Sequence, residues 1–180
     1  MSEQNTSRKK SKCADGGEIF CIPLFLPKDD WKLTIKLSKE DYGKEFVFGR
    51  AIEDCKGCGI LVEIFRKVGN LETDIDEIIG SGRLFEPIFI FWVGVRKRRW
   101  KVIGKTQDYD KWGKSNYKDI NIVFGVHGDF RLHNFATMQE TKLPTESIGK
   151  YEHSKIWFPI DLENRIIKEL EKQGLITEIK

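Results

Sequence analysis

Residues 17–24 read GEIFCIPL and residues 46–65 read FVFGRAIEDCKGCGILVEIF; the fold prediction starts from these two stretches. In the second stretch, two apolar runs flank a Gly-rich turn at residues 53–59. Two β-type runs joined by such a turn are typical of a hairpin. We therefore predict paired strands over 46–52 and 60–65, preceded by a strand that ends at Pro23.

The composition indicates a soluble chain that can bury a hydrophobic core. Its 180 residues include 12 Phe and 5 Trp, which supply the bulk for a core. The 31 basic and 28 acidic side chains leave a net charge of +3, too small to indicate nucleic-acid binding by itself. The N-terminus has no secretory pattern, and no apolar run approaches the ~18 residues of a membrane span. We expect a cytoplasmic protein with reduced cysteines and no membrane contact; its oligomeric state is left open.

Further strands are predicted downstream of the hairpin. Residues 83–95, RLFEPIFIFWVGV, predict a central strand buried on both faces, with Pro87 at a bulge or at the strand's beginning. Residues 100–104, WKVIG, predict one more short strand. Residues 121–135 predict a second hairpin that turns at Gly128-Asp129, and residues 137–155 resemble an irregular connection.

The sequence predicts a tail and one further strand near the N-terminus. Residues 1–15 are polar and basic, which predicts a disordered tail ahead of one β-rich domain at 16–180. Apolar and polar side chains alternate over residues 31–37, a period of two that suits a strand with one wet face.

One amphipathic helix is predicted at the C-terminal end, over residues 161–173. Asp161 is placed to cap its first turn, and Gly174 fits the left-handed position after its last. The expected fold is therefore α+β. It is a mainly antiparallel, strongly bent sheet or a partly open β-barrel, with this helix packed on it.

The sharpest local motif is the CxxC formed by Cys55 and Cys58. A structural zinc site needs four ligands, and a thioredoxin-like motif lies at a strand-to-helix junction, whereas this one lies between two predicted strands. The three histidines form no HExxH pattern. We predict a tight turn at the CxxC, with no catalytic, metal or cofactor site; a redox or zinc role is the alternative.

Two charge clusters are the candidate partner-binding sites. Their residues are Glu72, Asp74, Asp76 and Glu77 in an acidic cluster, and Arg96, Lys97, Arg98 and Arg99 in a basic cluster. The acidic cluster lies on a short helix or an extended loop, and could oppose a basic protein surface or be solvated. The basic cluster is flanked by Trp92 and Trp100. It could bind nucleic acid, bind an acidic protein, or be a solvated turn.

The order of these motifs resembles the immunity protein 26 family of bacterial polymorphic-toxin systems. The matching residues are Gly17, Phe20, Ile22, Pro23, Leu24, Phe48, Gly49, Arg50, Glu63, Phe65, Trp100, Val102, Ile103 and Gly104. The resemblance spans roughly residues 16–105, and the insert at 27–43 and the CxxC turn depart from it.

The resemblance implies a role rather than an active site. Members of this family are immunity proteins, and the implied function is to bind and neutralise a cognate toxin by a stoichiometric protein–protein interaction. We predict no enzyme activity, and a nucleic-acid partner is not favoured. The alternative function is a small-barrel nucleic-acid-binding module that uses Trp92 and residues 96–100.

Overall fold

The computed structural model describes residues 14, 16–26, 37–126 and 128–177. The predicted tail (apart from residue 14), all but the last residue of the predicted strand at 31–37, and His127 lie outside the described residues. Within the described range the strands form two sheets, one of six strands and one of four.

The larger sheet has the strand order β10-β4-β3-β2-β1-β5. Its strands are β1 (Glu18–Pro23), β2 (Phe46–Cys55), β3 (Gly59–Gly69), β4 (Ile88–Ile90), β5 (Lys101–Lys105) and β10 (Ile156–Trp157). Every pairing is antiparallel except that of β10 with β4. The predicted first strand, the first hairpin and the WKVIG strand are all confirmed.

The CxxC segment forms the turn of the first hairpin, as predicted. The Cys58 backbone N–H donates to the Cys55 carbonyl at 2.7 Å. Gly59 has φ +89°, and a Cβ there would lie 2.7 Å from the Ile90 carbonyl oxygen of the neighbouring strand. Only glycine meets both conditions without strain, so the turn depends on Gly59 as well as on its length.

The long central strand predicted over residues 83–95 is wrong in extent and place. The strand begins at Ile88, directly after Pro87, but it ends at Ile90 and has only the short β10 beyond it. The chain then forms α2 (Val93–Arg96), and Trp92 packs edge-on against Phe20 with ring centroids 5.4 Å apart. Trp92 therefore packs against the core from the start of a helical turn. An apolar run alone does not distinguish such a turn from a buried strand.

The smaller sheet has the strand order β8-β7-β6-β9. Its strands are β6 (Asn121–Val126), β7 (Asp129–Asn134), β8 (Glu140–Lys142) and β9 (Glu152–His153). The second hairpin is therefore confirmed. The irregular connection predicted for 137–155 is wrong, because it contains β8, β9 and the 3-10 helix Thr145–Lys150. Neither sheet closes into a barrel in the described part of the chain. The prediction of an α+β fold with mostly antiparallel strands is confirmed.

The remaining helical segments are short except for the last. They are α1 (Ile75–Gly80), α3 (Lys111–Lys114), α4 (Pro159–Lys172) and the 3-10 helices Glu40–Gly43 and Tyr117–Asp119. Helix α4 begins two residues before the predicted 161, with Phe158 as its N-cap and Pro159 in its first turn. Proline is favoured in the first turn of a helix because its backbone is pre-organised and it lacks an N–H that would go unsatisfied there. The helix therefore starts at Pro159, and Asp161 lies inside the first turn rather than at the cap. Gly174 has φ +67°, which confirms the predicted left-handed C-terminal residue.

Both faces of the larger sheet are covered. On one face, side chains such as Phe20 and Ile64 pack in a cluster with Leu162 and Leu170 of α4. On the other face, two separate clusters form, one with α1 and one with the start of the smaller sheet. The strands are therefore apolar on both sides, which is why their sequences read as near-continuous hydrophobic runs. No helix of the described residues has the length and apolar character needed to cross a bilayer.

Candidate functional site

A buried ion pair joins the two strands of the first hairpin. Arg50 on β2 and Glu63 on β3 are direct partners in the register, and they are only 1% and 2% exposed. Arg50 Nε donates to Glu63 Oε1 at 2.8 Å. The pairing of the strands thus places two charges opposite each other inside the protein, on the sheet face that carries the two smaller apolar clusters.

The Glu63 carboxylate also accepts hydrogen bonds from two distant segments. Arg83 Nε donates to Glu63 Oε2 at 2.8 Å, because residues 82–84 lie alongside β3 through a bridge of Arg83 to Phe65. The Ser115 hydroxyl donates to Glu63 Oε1 at 2.6 Å and lies 2.9 Å from the Tyr109 hydroxyl. Both carboxylate oxygens are therefore bonded, and one acidic group organises two guanidinium groups.

The Arg50 guanidinium also bonds the segment that contains α3. Arg50 Nη2 donates to the Lys114 carbonyl and Arg83 Nη2 donates to the Ser115 carbonyl. Asn116 adopts a left-handed conformation with φ +43° directly after these carbonyls, which asparagine tolerates better than most residues. This turn therefore supplies two backbone acceptors to the buried arginines.

Aromatic rings complete the surroundings of Arg50. Its guanidinium carbon lies 5.5 Å from the Phe65 ring centroid and 5.3 Å from that of Tyr109. Burial raises the pKa of the Tyr109 hydroxyl, so this group stays protonated at neutral pH. The arrangement holds two guanidinium groups in fixed positions, and guanidinium groups do not give up their protons at neutral pH. It therefore suits binding rather than proton transfer.

The basic cluster does not form one exposed surface. Arg96, Lys97 and Arg98 are exposed, but Arg99 is 0% exposed and donates from Nε and Nη2 to Glu163 of α4, at 2.7 and 2.6 Å. The expectation that Arg99 contacts a partner is corrected by this placement, because a fully buried side chain with its own carboxylate is not presented at the surface.

Trp100 also contacts the Glu163 carboxylate, and it is buried and therefore not available to nucleic acid. Trp100 is 1% exposed, and its Nε1 donates to Glu163 at 2.8 Å. Its ring stacks on Phe20 at a centroid distance of 5.8 Å, and Trp92 packs on the same ring. Base stacking needs an open aromatic face, so Trp100 does not form the platform that the nucleic-acid alternative requires.

The acidic cluster lies at the beginning of α1, so the helical interpretation of this stretch is confirmed. Asp74 caps the helix by accepting from the Asp76 and Glu77 backbone N–H groups, at 2.8 and 3.3 Å. Glu77 pairs with Lys67 at 2.8 Å. The exposed carboxylates of Glu72 and Asp76 have no ion-pair partner among the described residues. Whether this cluster binds a partner stays a prediction.

The CxxC turn has the properties of a structural turn. Burial and the nearby Glu53 carboxylate raise the pKa of the Cys55 thiol to about 12, whereas reactive and metal-bound cysteines are thiolates at neutral pH. Cys58 is exposed at the tip of the turn, and Cys13 lies outside the described residues. In the part of the chain that the structure describes, no group of three His, Cys, Asp or Glu side chains could hold a metal ion.

A family model for immunity protein 26 matches residues 15–125, which is more than half of the 180 residues. The chain belongs to the immunity protein 26 family. The matched segment extends to β6, so it contains the whole Arg50–Glu63–Arg83 network, whereas Glu163 and α4 lie beyond its end. No curated protein and no solved structure matched the chain.

The family motif includes the central ion pair, although the sequence does not by itself predict the contact. Arg50 and Glu63 are both motif residues, and the sequence pattern marks each of them separately as unusual. Each is the one charged residue inside an apolar run, FVFGRAI or ILVEIF, of the same hairpin. Arg83 and Ser115 offer no such signal because they reach the site from segments far away in the sequence.

Proposed function

We propose that this immunity protein 26 family member binds and neutralises a cognate bacterial polymorphic toxin, as a stoichiometric inhibitor in the cytoplasm. The observation that carries this function is the family match over residues 15–125. Inhibition by binding needs a stable surface rather than a reactive group. A buried ionic network that ties four segments together supports such a surface.

The exposed charged groups suggest two surfaces for the toxin. Glu72 and Asp76 would face a basic toxin surface, such as that of many nucleases, and Arg96, Lys97 and Arg98 would face an acidic one. Complementary charge accelerates association and selects the partner, while buried contacts supply most of the affinity. Charge reversal of each surface in turn separates the two, because the surface that contacts the toxin is the one whose reversal weakens the complex.

Affinity capture from the source cell, followed by co-expression of the captured protein, tests the function. We expect one protein to be captured that is toxic when expressed alone and harmless when expressed with this chain. Capture of nucleic acid without a protein, or toxicity that persists when the chain is co-expressed, would contradict the function.

A further inference from the structure

A cavity of about 310 Å³ opens beside the buried network. Four of its lining residues have charged side chains, namely Arg50, Glu63, Arg83 and Lys114. Three of these are cations and one is a carboxylate. The cavity wall therefore carries an excess of positive charge, part of it on Arg50, which is almost fully buried.

This excess is not neutralised by Glu63. Its oxygens already accept from Arg50, Arg83 and Ser115, so one negative charge serves two guanidinium groups. A charge removed from water is costly unless it is paired. A second anion at this position would offset that cost.

Two donor groups of the lining residues remain available for such an anion. Arg83 uses Nε and Nη2 on Glu63 and the Ser115 carbonyl, while its Nη1 lies 3.9 Å from the carboxylate of Glu86, a side chain that is 65% exposed. That distance is too long for a hydrogen bond. The Lys114 ammonium group is exposed and has no ion pair within the described ranges.

Of the two cavities that Lys114 lines, only the one beside Arg83 suits an anion. A neighbouring cavity of about 410 Å³ shares Arg50 and Lys114, but Asp76 and Asp108 also line it. These carboxylates repel an anion there. The cavity on the Arg83 side is lined by no carboxylate other than the already paired Glu63.

We propose that the cavity between Arg83 and Lys114 is a binding site for one oxyanion, a carboxylate or a phosphate group. The anion accepts from Arg83 Nη1 and the Lys114 ammonium group, and the buried Arg50 adds charge behind them. The planar guanidinium group matches the oxygens of either anion, and hydrogen bonds between charged groups are about twice as strong as neutral ones. The anion is either a free ion or an acidic side chain of the bound toxin; the second source rests on the proposed function.

Titration with inorganic phosphate and with acetate, at constant ionic strength and with chloride as the reference salt, tests the site. Binding is followed by calorimetry and by the NMR signals of the Arg83 side chain in the full chain. We expect saturable binding that shifts these signals and that weakens by about tenfold or more in Arg83→Gln, as expected for the loss of a charged hydrogen bond. Arg131→Gln is the matched control, because Arg131 is an exposed arginine that pairs with Asp129 and Glu140 away from this cavity.

Arg83→Gln removes an ion pair of the buried network, so a second variant guards against misfolding. Lys114→Gln changes only an exposed ammonium group, since Lys114 contributes to the network through its backbone carbonyl. We expect this variant to fold normally and to bind phosphate more weakly. Absence of saturable binding, or equal affinities of the wild type and both variants, would overturn the site.

The source of the anion is decided with the toxin complex in hand. If a toxin carboxylate occupies the site, saturating phosphate and Arg83→Gln both weaken the complex. If the complex is insensitive to both, a free ion is the ligand. Failure to find any toxin complex would count against the proposed function alone, because the phosphate titration needs no toxin.

Discussion

Replacement of Glu63 by glutamine probes the contact on which the hairpin and its neighbouring segments converge. Glu63→Gln keeps the size of the side chain but removes the charge that pairs with Arg50, which is 1% exposed. It also turns one acceptor oxygen into an NH₂ group among the donors of Arg83 and Ser115. Removal of one partner from a buried ion pair typically costs about 3–5 kcal/mol, so we expect a loss of that size in the free energy of unfolding.

Urea unfolding at pH 7, followed by far-UV circular dichroism, measures this loss. With a typical slope of about 1–3 kcal/mol per M urea, the midpoint falls by about 1 M or more in Glu63→Gln. The matched control is Glu86→Gln, which removes an exposed carboxylate 3.9 Å from Arg83 and should change stability by less than about 0.5 kcal/mol. A loss below about 1 kcal/mol in Glu63→Gln, the range of a surface pair, would refute the view that this network holds the fold together.

Three further substitutions or conditions test other parts of the structure. Glu163→Gln leaves the buried Arg99 without its carboxylate, so the free energy of unfolding should fall by about 3 kcal/mol or more, and limited proteolysis should detach α4 first. Gly49→Ala places a methyl group 2.5 Å from Phe20 Cζ in a filled core, which should cost about 1–3 kcal/mol by thermal unfolding. Burial raises the pKa of the Cys55 thiol from 9.0 to about 12. The stability that the protonated thiol contributes is therefore present below pH 9 and is lost as the pH rises towards 12. At pH 7 the thiol is protonated, so iodoacetamide should modify Cys55 slowly.

Each of these tests has an internal control in the chain. Glu171 lies on α4 without an ion pair among the described residues, so Glu171→Gln should leave stability unchanged. A Cβ added at Gly43 would meet no other atom within 4 Å, so Gly43→Ala should be neutral. Cys58 is exposed and should be alkylated faster than Cys55. Equal effects of test and control in any pair would contradict the contact on which that test rests.

The hairpin and the terminal helix were predictable from the sequence because their signals are local. A turn with glycines between two apolar runs specifies paired strands, and apolar residues every four positions specify the face of α4 that packs on the sheet. The beginning of α4 was misplaced by two residues because Asp161 and Pro159 both favour a first turn, and the proline decides it.

The extent of β4 and the interior of the site depend on distant contacts instead. An apolar run does not reveal that Trp92 leaves the sheet to pack on Phe20. Arg99 is indistinguishable from its basic neighbours in sequence, and its buried ion pair with Glu163 lies 64 residues away. The positions of Arg50 and Glu63 could be singled out from the pattern of the hairpin. The hydrogen bond from Ser115 to Glu63 could not, because the two residues are 52 positions apart.

Titration of the toxin's activity against increasing amounts of this chain measures neutralisation itself. If the chain neutralises its toxin by binding, the residual activity falls in proportion to the chain added and reaches zero at an equimolar amount. Activity that persists in the presence of excess chain would contradict neutralisation, and complete loss of activity at far less than an equimolar amount would indicate a catalytic rather than a stoichiometric role.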